Sequence, residues 1–542
     1  GRKDGFENLR KYGGMSGFPK RKESDCDAFD TGHSSTSISA GLGYVRARDL
    51  KGEDYSVISV IGDGSMTGGM AFEALNNASQ LNSNFIIVLN DNHMSISENV
   101  GGMSRYLAKI RTADFYTGLK KGVTTTLEKI PKVGDSLIEQ IRRTKSSIKQ
   151  LIVPGMFFED MGITYLGPVK GHDLPTLCRV FSEARRIEGP VLVHVLTKKG
   201  KGYTPAEEHP GKFHGISPFD VATGEVSEKK KKDTYTDVFG KVMCAEAKEN
   251  PDITAITAAM EDGTGLSRFH SMFPDRFFDV GIAEEHAVTF AAGLAAGGMR
   301  PVVAVYSSFL QRAYDQIIHD VGLQKLPVVF AVDRAGLVGS DGETHQGIFD
   351  LSFLSSIPNM TVMSPKHKWE LADMLRFALK SDGPVAIRYP RGAAYDQYVE
   401  YRAPIEYGKS EMICEESGIA LISMGHMFEE AVKVRKNLKD AGYSCTLVNG
   451  RFVKPIDEEC IARLAKNHKL IAVLEENVIT GGYGMQVLEC AARKQLSCHV
   501  LPIALPDNYV EHGSVEVLRK ETGIDAQSVT EKIMETYKEL QI

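Results

Sequence analysis

The sequence lacks paired cysteines, long apolar runs and an excess of positive charge. These features mark zinc or redox proteins, membrane proteins and nucleic-acid-binding proteins. Its eight cysteines are scattered, and none forms the Cys-x-x-Cys pair typical of zinc and redox sites. No run approaches the roughly 18 apolar residues of a membrane-spanning helix. The net charge of −6 supplies no basic field for nucleic acid. We therefore expect a globular protein of a reducing, cytoplasmic compartment, with neither a membrane nor a nucleic-acid partner.

What the sequence does contain is enough length for several domains. Its 542 residues exceed the roughly 250–300 at which a single core stops growing. Strand and helix patterns alternate throughout, which predicts an α/β protein with mainly parallel sheets. We predict three consecutive domains, at residues 1–232, 233–405 and 406–542. The run 228–233 is free of apolar residues and predicts the first linker.

The individual elements follow from apolar patterning. Strands are predicted at 57–61, 85–89, 191–197, 253–258, 302–306, 328–332, 385–389, 419–423, 445–448, 471–475 and 499–503. Helices are predicted at 66–81, 284–297 and 309–323. A basic helical region near 103–152 is interpreted as the solvated side of an amphipathic insertion, with an anion-binding face as the alternative.

Two polar turns each follow an apolar strand. Asp63 lies in Gly-Asp-Gly after the first strand, and Asn92 lies in Asn-Asp-Asn-His-Met after the second, 92 − 63 = 29 residues later. That spacing fits a βαβ unit, which brings the carboxyl ends of two parallel strands together. Glycines let the backbone approach an anion, and one Asp with one Asn suits a Mg²⁺ that also holds a diphosphate. Either turn alone would be interpreted as an ordinary polar turn.

The two turns together resemble the signature of transketolase-like thiamine-diphosphate enzymes. Four further segments narrow the resemblance to the 1-deoxy-D-xylulose-5-phosphate synthase family: 32–41, 306–316, 333–347 and 388–392. The resemblance implies decarboxylation of pyruvate and its joining to glyceraldehyde 3-phosphate, with thiamine diphosphate and Mg²⁺ as cofactors. The product would be 1-deoxy-D-xylulose 5-phosphate, for isoprenoid, thiamine and pyridoxal synthesis. The family also implies a homodimer.

The resemblance assigns roles residue by residue. A glutamate at a helix start ordinarily complements the helix dipole, but Glu284 matches the family's acid at the cofactor pyrimidine, where burial and a raised pKa help it. The implied metal ligands are Asp63, Asn92 and the Met94 backbone carbonyl. The implied cofactor-binding residues are Gly32, His33, Ser34, Gly64, Ser65, Asn92, Lys199, Tyr203, Glu284 and Phe309. The implied substrate-binding residues are Tyr306, Arg334, Asp341 and Arg391, and the implied catalytic residues are Glu284, His345 and His214.

Several of these residues have ordinary interpretations when taken singly. The lysines around Lys199 could mark a solvated strand end, and Phe309 could be a core residue. Surface ion pairs could explain Arg334 and Arg391. Arg10 resembles a further arginine that closes over the site in the family.

The sequence departs from the family in two places. The family has about a hundred residues before the match to Gly1, including two histidines in Gly-His contexts, so we expect an upstream segment that could also carry plastid targeting. His93 stands where many relatives have an acidic residue. Two alternatives stay open: a transketolase-type ketol transferase, which releases no CO₂, and a non-catalytic scaffold that has kept the fold.

Overall fold

The computed structural model describes residues 2–94, 100–112, 156–216, 218–226 and 232–540. The chain forms two compact units. The larger comprises Gly1–His33, Lys230–Val280 and Glu284–Ile542, and the smaller comprises Ser34–Lys229 and Gly281–Ala283. Most of the predicted linker at 228–233 and of the basic region at 103–152 lies outside the described residues. Within the described ranges, no helix is both long and apolar enough to cross a bilayer.

The smaller unit is built on a four-stranded parallel sheet. Its strands are β1 (Ile58–Gly62), β2 (Phe85–Asp91), β3 (Thr164–Lys170) and β4 (Pro190–Leu196), in the order β1-β2-β4-β3. Its helices are α1 (Ser37–Lys51), α2 (Gly69–Ala78), α3 (Gly101–Thr112), α4 (Met156–Asp160), α5 (Leu174–Ala184) and α6 (Thr204–Glu208). Gly62 pairs with Asn90, so the two polar turns leave the same edge of the sheet.

The connection from β1 to β2 is broken where the sequence predicts one helix over 66–81. A 3₁₀ turn spans Gly64–Thr67, and α2 begins only at Gly69. Gly68 between them is extended, with φ −73° and ψ 137°. A Cβ at Gly68 would lie 2.5 Å from the Ser35 hydroxyl oxygen, so the close approach of Ser35 requires glycine there.

The larger unit contains two sheets, of which the first has seven strands. They are β5 (Ile253–Thr257), β6 (Phe277–Asp279), β7 (Arg300–Tyr306), β8 (Val329–Asp333), β9 (Thr361–Met363), β10 (Val385–Arg388) and β14 (Phe452–Lys454). The order is β14-β9-β10-β8-β7-β5-β6, and only the β14 pairing is antiparallel. The associated helices are α7 (Tyr235–Glu249), α8 (Ser267–Met272), α9 (Glu284–Ala296), α10 (Ser307–Leu310), α11 (Tyr314–Gln316), α12 (Asp350–Ser355) and α13 (Lys368–Ala378).

The prediction of one regular helix at 309–323 is wrong, because the segment is helical but changes pitch three times. After α10 the chain makes a 3₁₀ turn at Gln311–Ala313, then α11, then a π-helical turn at Ile317–Gly322. Each change of pitch re-aims the side chains that follow, and such irregular turns are frequent at functional segments.

The second sheet of the larger unit has five strands. They are β11 (Glu411–Cys414), β12 (Gly418–Ser423), β13 (Cys445–Asn449), β15 (His468–Val478) and β16 (His499–Leu505), in the order β11-β13-β12-β15-β16 with β11 antiparallel. Its helices are α14 (Phe428–Asp440), α15 (Glu458–Asn467), α16 (Tyr483–Arg493), α17 (Val515–Glu521) and α18 (Ala526–Glu539). The three mainly parallel sheets confirm the α/β class, while the exact domain limits stay a prediction.

Candidate active site

The two polar turns fold over Asp63, which is only 3% exposed at the end of β1. The His93 backbone N–H donates to Asp63 Oδ2 at 3.0 Å, and the Met94 N–H donates to the Asn92 amide oxygen at 3.2 Å. His93 adopts the left-handed φ of 72°, which lets the second turn curl back toward the first. The backbone of the second turn, next to Asn92, therefore lies against the Asp63 carboxylate, as the spacing predicts.

This turn region is rich in negative charge. Burial, and then the neighbouring Asp91 carboxylate, raise the pKa of Asp63 to about 6. Asp91 is itself buried and lies 2.8 Å from His194 Nε2, while His194 Nδ1 lies 2.7 Å from the Tyr165 hydroxyl. The sequence patterns did not single out this buried Asp91–His194–Tyr165 chain, although Asp91 lies within the metal turn.

The donor set fits a Mg²⁺ that shares a diphosphate. Across the described ranges, no three His, Cys, Asp or Glu side chains form a group that could hold a metal on their own. Asp63, the Asn92 amide and a backbone carbonyl provide hard oxygen donors, and Mg²⁺ commonly completes such a set with phosphate oxygens and water. A cation would also offset the burial of the Asp63 carboxylate and the charge of Asp91, which together raise the Asp63 pKa.

Lys199 and His214 form a polar pair in the same unit. Lys199 Nζ lies 2.9 Å from His214 Nδ1. Burial lowers the pKa of Lys199, whereas the charge of Asp63 acts to raise it. Burial, and then Lys199, lower the pKa of His214, so the ring is neutral and accepts at Nδ1. Its Nε2–H remains as a donor.

The remaining predicted residues of the smaller unit are placed as follows. The Tyr203 hydroxyl donates to the Val221 carbonyl at 2.8 Å, and its ring packs against Phe213 and Phe219. Gly64 is buried in the 3₁₀ turn, and Ser34 and Ser65 are half-buried.

In the larger unit, Glu284 is a buried acid at the first position of α9. It is 2% exposed. Burial raises the pKa of Glu284, and the Arg312 guanidinium, 3.5 Å from its Oε2, offsets this only in part. A carboxyl group with a raised pKa holds its proton more firmly than an exposed one and can deliver it to a neighbouring base. Arg312 was missed from the sequence, although its position three residues after Phe309 in the same segment was a signal.

Aromatic and histidine rings surround Phe309. The rings of His33 and His345 approach Phe309 edge-on, at 4.9 Å and 5.5 Å between centroids, and Tyr306 stacks on it at 5.7 Å. His33 Nε2 lies 2.6 Å from the Thr344 carbonyl oxygen, which it can reach only as a donor. A Cβ at Gly32 would collide with Thr344, so this approach requires glycine.

The histidines here are neutral. Burial lowers the pKa of His33, and it lowers the pKa of His345 to about 4. The ring of Phe18 stacks on His345 at 4.9 Å between centroids, a contact that the sequence did not indicate.

The polar residues predicted to bind substrate lie near one another in the larger unit, since the charges of Arg334, Arg391 and Asp341 all act on Tyr306. The Arg334 guanidinium lies 3.7 Å from the Tyr306 ring centroid, and burial raises the Tyr306 pKa to about 12. Asp341 is paired with Arg391 at 3.5 Å and also with Arg10. These two pairings bring the predicted residues together, with the arginine charges partly neutralised by Asp341.

Comparison with known proteins identifies the family. The family model described as 1-deoxy-D-xylulose-5-phosphate synthase matches residues 1–197. The models for the transketolase pyrimidine-binding domain and the transketolase C-terminal domain match residues 231–396 and 408–529.

Individual relatives agree with these matches. A 1-deoxy-D-xylulose-5-phosphate synthase of Lachnoclostridium phytofermentans is 57% identical over 98% of this chain and 85% of its own length. That of Caldanaerobacter subterraneus is 52% identical over 100% of this chain and 87% of its own length. A transketolase structure from Campylobacter jejuni, 17% identical, covers 94% of this chain and 82% of its own with a TM-score of 0.50, which shows the shared fold. The chain therefore belongs to the 1-deoxy-D-xylulose-5-phosphate synthase family, and its three domains are transketolase-like.

Proposed function

We propose that this chain makes 1-deoxy-D-xylulose 5-phosphate and CO₂ from pyruvate and glyceraldehyde 3-phosphate, with thiamine diphosphate and Mg²⁺ as cofactors. Family membership supports the overall reaction. The observation that carries the mechanism is the buried Glu284, because burial raises its pKa and so favours the protonated form that a proton donor needs.

Thiamine diphosphate, when bound, supplies the electron sink for decarboxylation. Glu284 would hold a proton at the cofactor's pyrimidine nitrogen, with Arg312 limiting how far its pKa rises. Phe309 would pack against the pyrimidine, and its neighbour His33, together with Gly32, would line the cofactor. The resemblance gives Ser34 the same role. The rings packed around Phe309 would exclude water from this part of the site.

The diphosphate end would be held by the polar turns of the smaller unit. Asp63, Asn92 and the Met94 carbonyl would bind Mg²⁺, and the hydrogen bond from the His93 backbone to Asp63, which joins the two turns, supports this role. The backbone of Gly64 and the hydroxyl of Ser65 would approach the phosphates. Lys199 would contribute a point charge, and Tyr203 would contact the cofactor from its aromatic cluster.

The acceptor aldehyde brings a phosphate dianion, which favours planar guanidinium groups. Arg334 and Arg391 would bind it, with Arg391 released from Asp341 as the phosphate arrives. Tyr306 and Asp341 would then hold the aldehyde's hydroxyl and carbonyl end.

His345 and His214 would serve the proton transfers. Their lowered pKa values keep both rings neutral, so each can accept a proton or donate its remaining N–H.

The test follows carbon-labelled pyruvate with glyceraldehyde 3-phosphate, thiamine diphosphate and Mg²⁺ by NMR. We expect labelled CO₂ and 1-deoxy-D-xylulose 5-phosphate in equal amounts. Consumption of xylulose 5-phosphate without pyruvate would instead establish the transketolase reaction.

Calorimetric titration with thiamine diphosphate separates an enzyme from a scaffold. We expect Mg²⁺-dependent binding that Asp63→Asn abolishes, while Asp54→Asn, at an exposed position of the same unit, leaves it intact. Absence of binding in the parent chain would favour the scaffold. We also propose that the chain is cytoplasmic and forms a homodimer. The molar mass of the purified chain, measured by light scattering, would test the dimer.

A further inference from the structure

The residues proposed to bind the acceptor share one loop. This acceptor loop, residues 334–347, connects β8 to α12 and carries Arg334, Asp341 and His345. Its neck is closed by two backbone hydrogen bonds: Gly336 N–H to Gly347 O at 2.6 Å, and Gly347 N–H to Gly336 O at 2.8 Å.

The start of the acceptor loop is strained. Arg334 adopts the left-handed φ of 58°, which a long side chain disfavours. Such a conformation persists only where the surrounding structure holds it. Hydrogen bonds of the next residues fix this backbone. Ala335 N–H donates to the Tyr389 carbonyl at 3.0 Å, and Leu337 N–H donates to the carboxylate oxygen Glu476 Oε2 at 2.9 Å.

Glu476 belongs to β15 in the five-stranded sheet, 139 residues further along the chain. It is 1% exposed. His426 Nε2 lies 2.6 Å from the same Oε2, and Arg519 Nε donates to Oε1 at 2.7 Å. A Cβ at Gly336 would collide with Glu476 Oε2, so the loop backbone approaches this carboxylate as closely as glycine allows.

The Arg519 charge and the hydrogen bond with His426 keep Glu476 ionised. Burial acts to raise its pKa, but Arg519 and His426 outweigh burial and hold the pKa well below its ordinary range. A hydrogen bond from a backbone N–H to a buried carboxylate is stronger than one between neutral groups. The C-terminal sheet therefore presents a fixed anion to the strained start of the acceptor loop.

We propose that Glu476 is a positioning residue for the acceptor: it fixes the Arg334–Leu337 backbone, and through it the C-terminal domain sets the affinity for the acceptor phosphate. The inference rests on the proposed function of Arg334. Glu476 itself contacts the loop backbone, not the phosphate.

The variant Glu476→Gln tests this proposal. Three donors, from Leu337, His426 and Arg519, would compete for the one acceptor oxygen of the glutamine. The matched control is Glu475→Gln, on the same strand and also 1% exposed, whose carboxylate accepts from the Tyr483 and Gly484 backbone instead. In the full chain we expect amide hydrogen exchange of the acceptor loop to rise about tenfold in Glu476→Gln and to stay unchanged in the control.

The second readout is the ratio of calorimetric Kd values for glyceraldehyde and glyceraldehyde 3-phosphate, which isolates the phosphate contribution. We expect Glu476→Gln to lower this ratio about tenfold and Glu475→Gln to preserve it. An equal loss in both variants would show a merely structural role, and a preserved ratio in Glu476→Gln would overturn the proposal.

Two further variants keep the test decisive. If Arg334→Met leaves the Kd ratio unchanged, the proposed role of Arg334 fails. If Arg334→Met changes the ratio but Glu476→Gln does not, only the positioning role of Glu476 is refuted. If Glu476→Gln does not fold, Arg519→Gln removes the donor to the other carboxylate oxygen, and we expect a smaller fall in the same ratio. An unchanged ratio in Arg519→Gln would then count against the proposal.

Discussion

Glutamine at position 475 should make the stability of the chain less dependent on pH. Glu475 is 1% exposed on β15, and its two carboxylate oxygens accept the backbone N–H groups of Tyr483 and Gly484, each at 2.8 Å. Burial raises the pKa of Glu475 to about 7, and these two hydrogen bonds lower it only in part. The folded chain therefore keeps a proton that an unfolded chain releases.

The sign and size of the effect follow from that difference. Between an ordinary pKa of 4.5 and the folded value of about 7, only the folded state holds the proton, so stability falls as pH rises through this window. The difference between the two pKa values, 7 − 4.5 = 2.5, corresponds to ~3 kcal/mol in the free energy of unfolding, at about 1.36 kcal/mol per pKa unit. Glutamine does not titrate, so Glu475→Gln lacks this loss.

The assay is urea denaturation of the parent chain and Glu475→Gln at about pH 5 and about pH 8. Loss of an acceptor oxygen destabilises the variant equally at both pH values, so only the change between them reports the titration. We expect the variant to gain about 2–3 kcal/mol relative to the parent chain at the higher pH. Glu516→Gln, at an exposed position, should gain nothing. A gain below about 1 kcal/mol in Glu475→Gln would refute the reasoning.

Three other variants test the site and its support. Glu284→Gln should lower CO₂ release from pyruvate at least about 100-fold, because an acid–base group is lost, while Glu285→Gln, at the next position of α9, should leave it nearly unchanged; near-normal release in Glu284→Gln would remove that residue from its role. Arg312 lowers the pKa of Glu284, so Arg312→Met should move the alkaline limb of the pH–rate profile to higher pH, and a shift to lower pH would contradict the pairing. Asp350→Ala should cost about 3–5 kcal/mol in urea denaturation, since it leaves the buried Arg388 without the carboxylate 3.0 Å from its Nε; a cost near zero would show that the guanidinium finds another partner.

The regular part of the fold was predictable because buried parallel strands read as continuous apolar runs. Every strand predicted from such a run occurs, with ends shifted by a few residues. The strands that were missed lack that signal. β6, β9 and β14 have three residues each. β11 has four residues and begins with the charged Glu411. β3 is interrupted by Gly167-Pro168, where its register with β4 shifts.

The candidate site was predictable where a single βαβ unit positions its residues. Asp63 and Asn92 follow adjacent strands, so their convergence depends only on a βαβ unit that the spacing indicates. The partners across long sequence distances were not predictable in this way. Arg312, which pairs with Glu284, lies in the 3₁₀ turn after α10, where the sequence predicts a regular helix.

Glu475 and Glu476 show why residue type and burial together do not determine chemistry. They are adjacent on one strand and equally buried, yet the pKa of Glu475 is raised and that of Glu476 is lowered. Strand alternation directs them to opposite faces: one meets the backbone N–H groups at the start of α16, and the other meets Arg519 and His426. Dipoles at a helix start offset the burial of Glu475 only in part, whereas the neighbouring guanidinium and imidazole outweigh that of Glu476. Only the ionised partner can offer the acceptor loop a permanent charge, which is why the positioning role falls to Glu476.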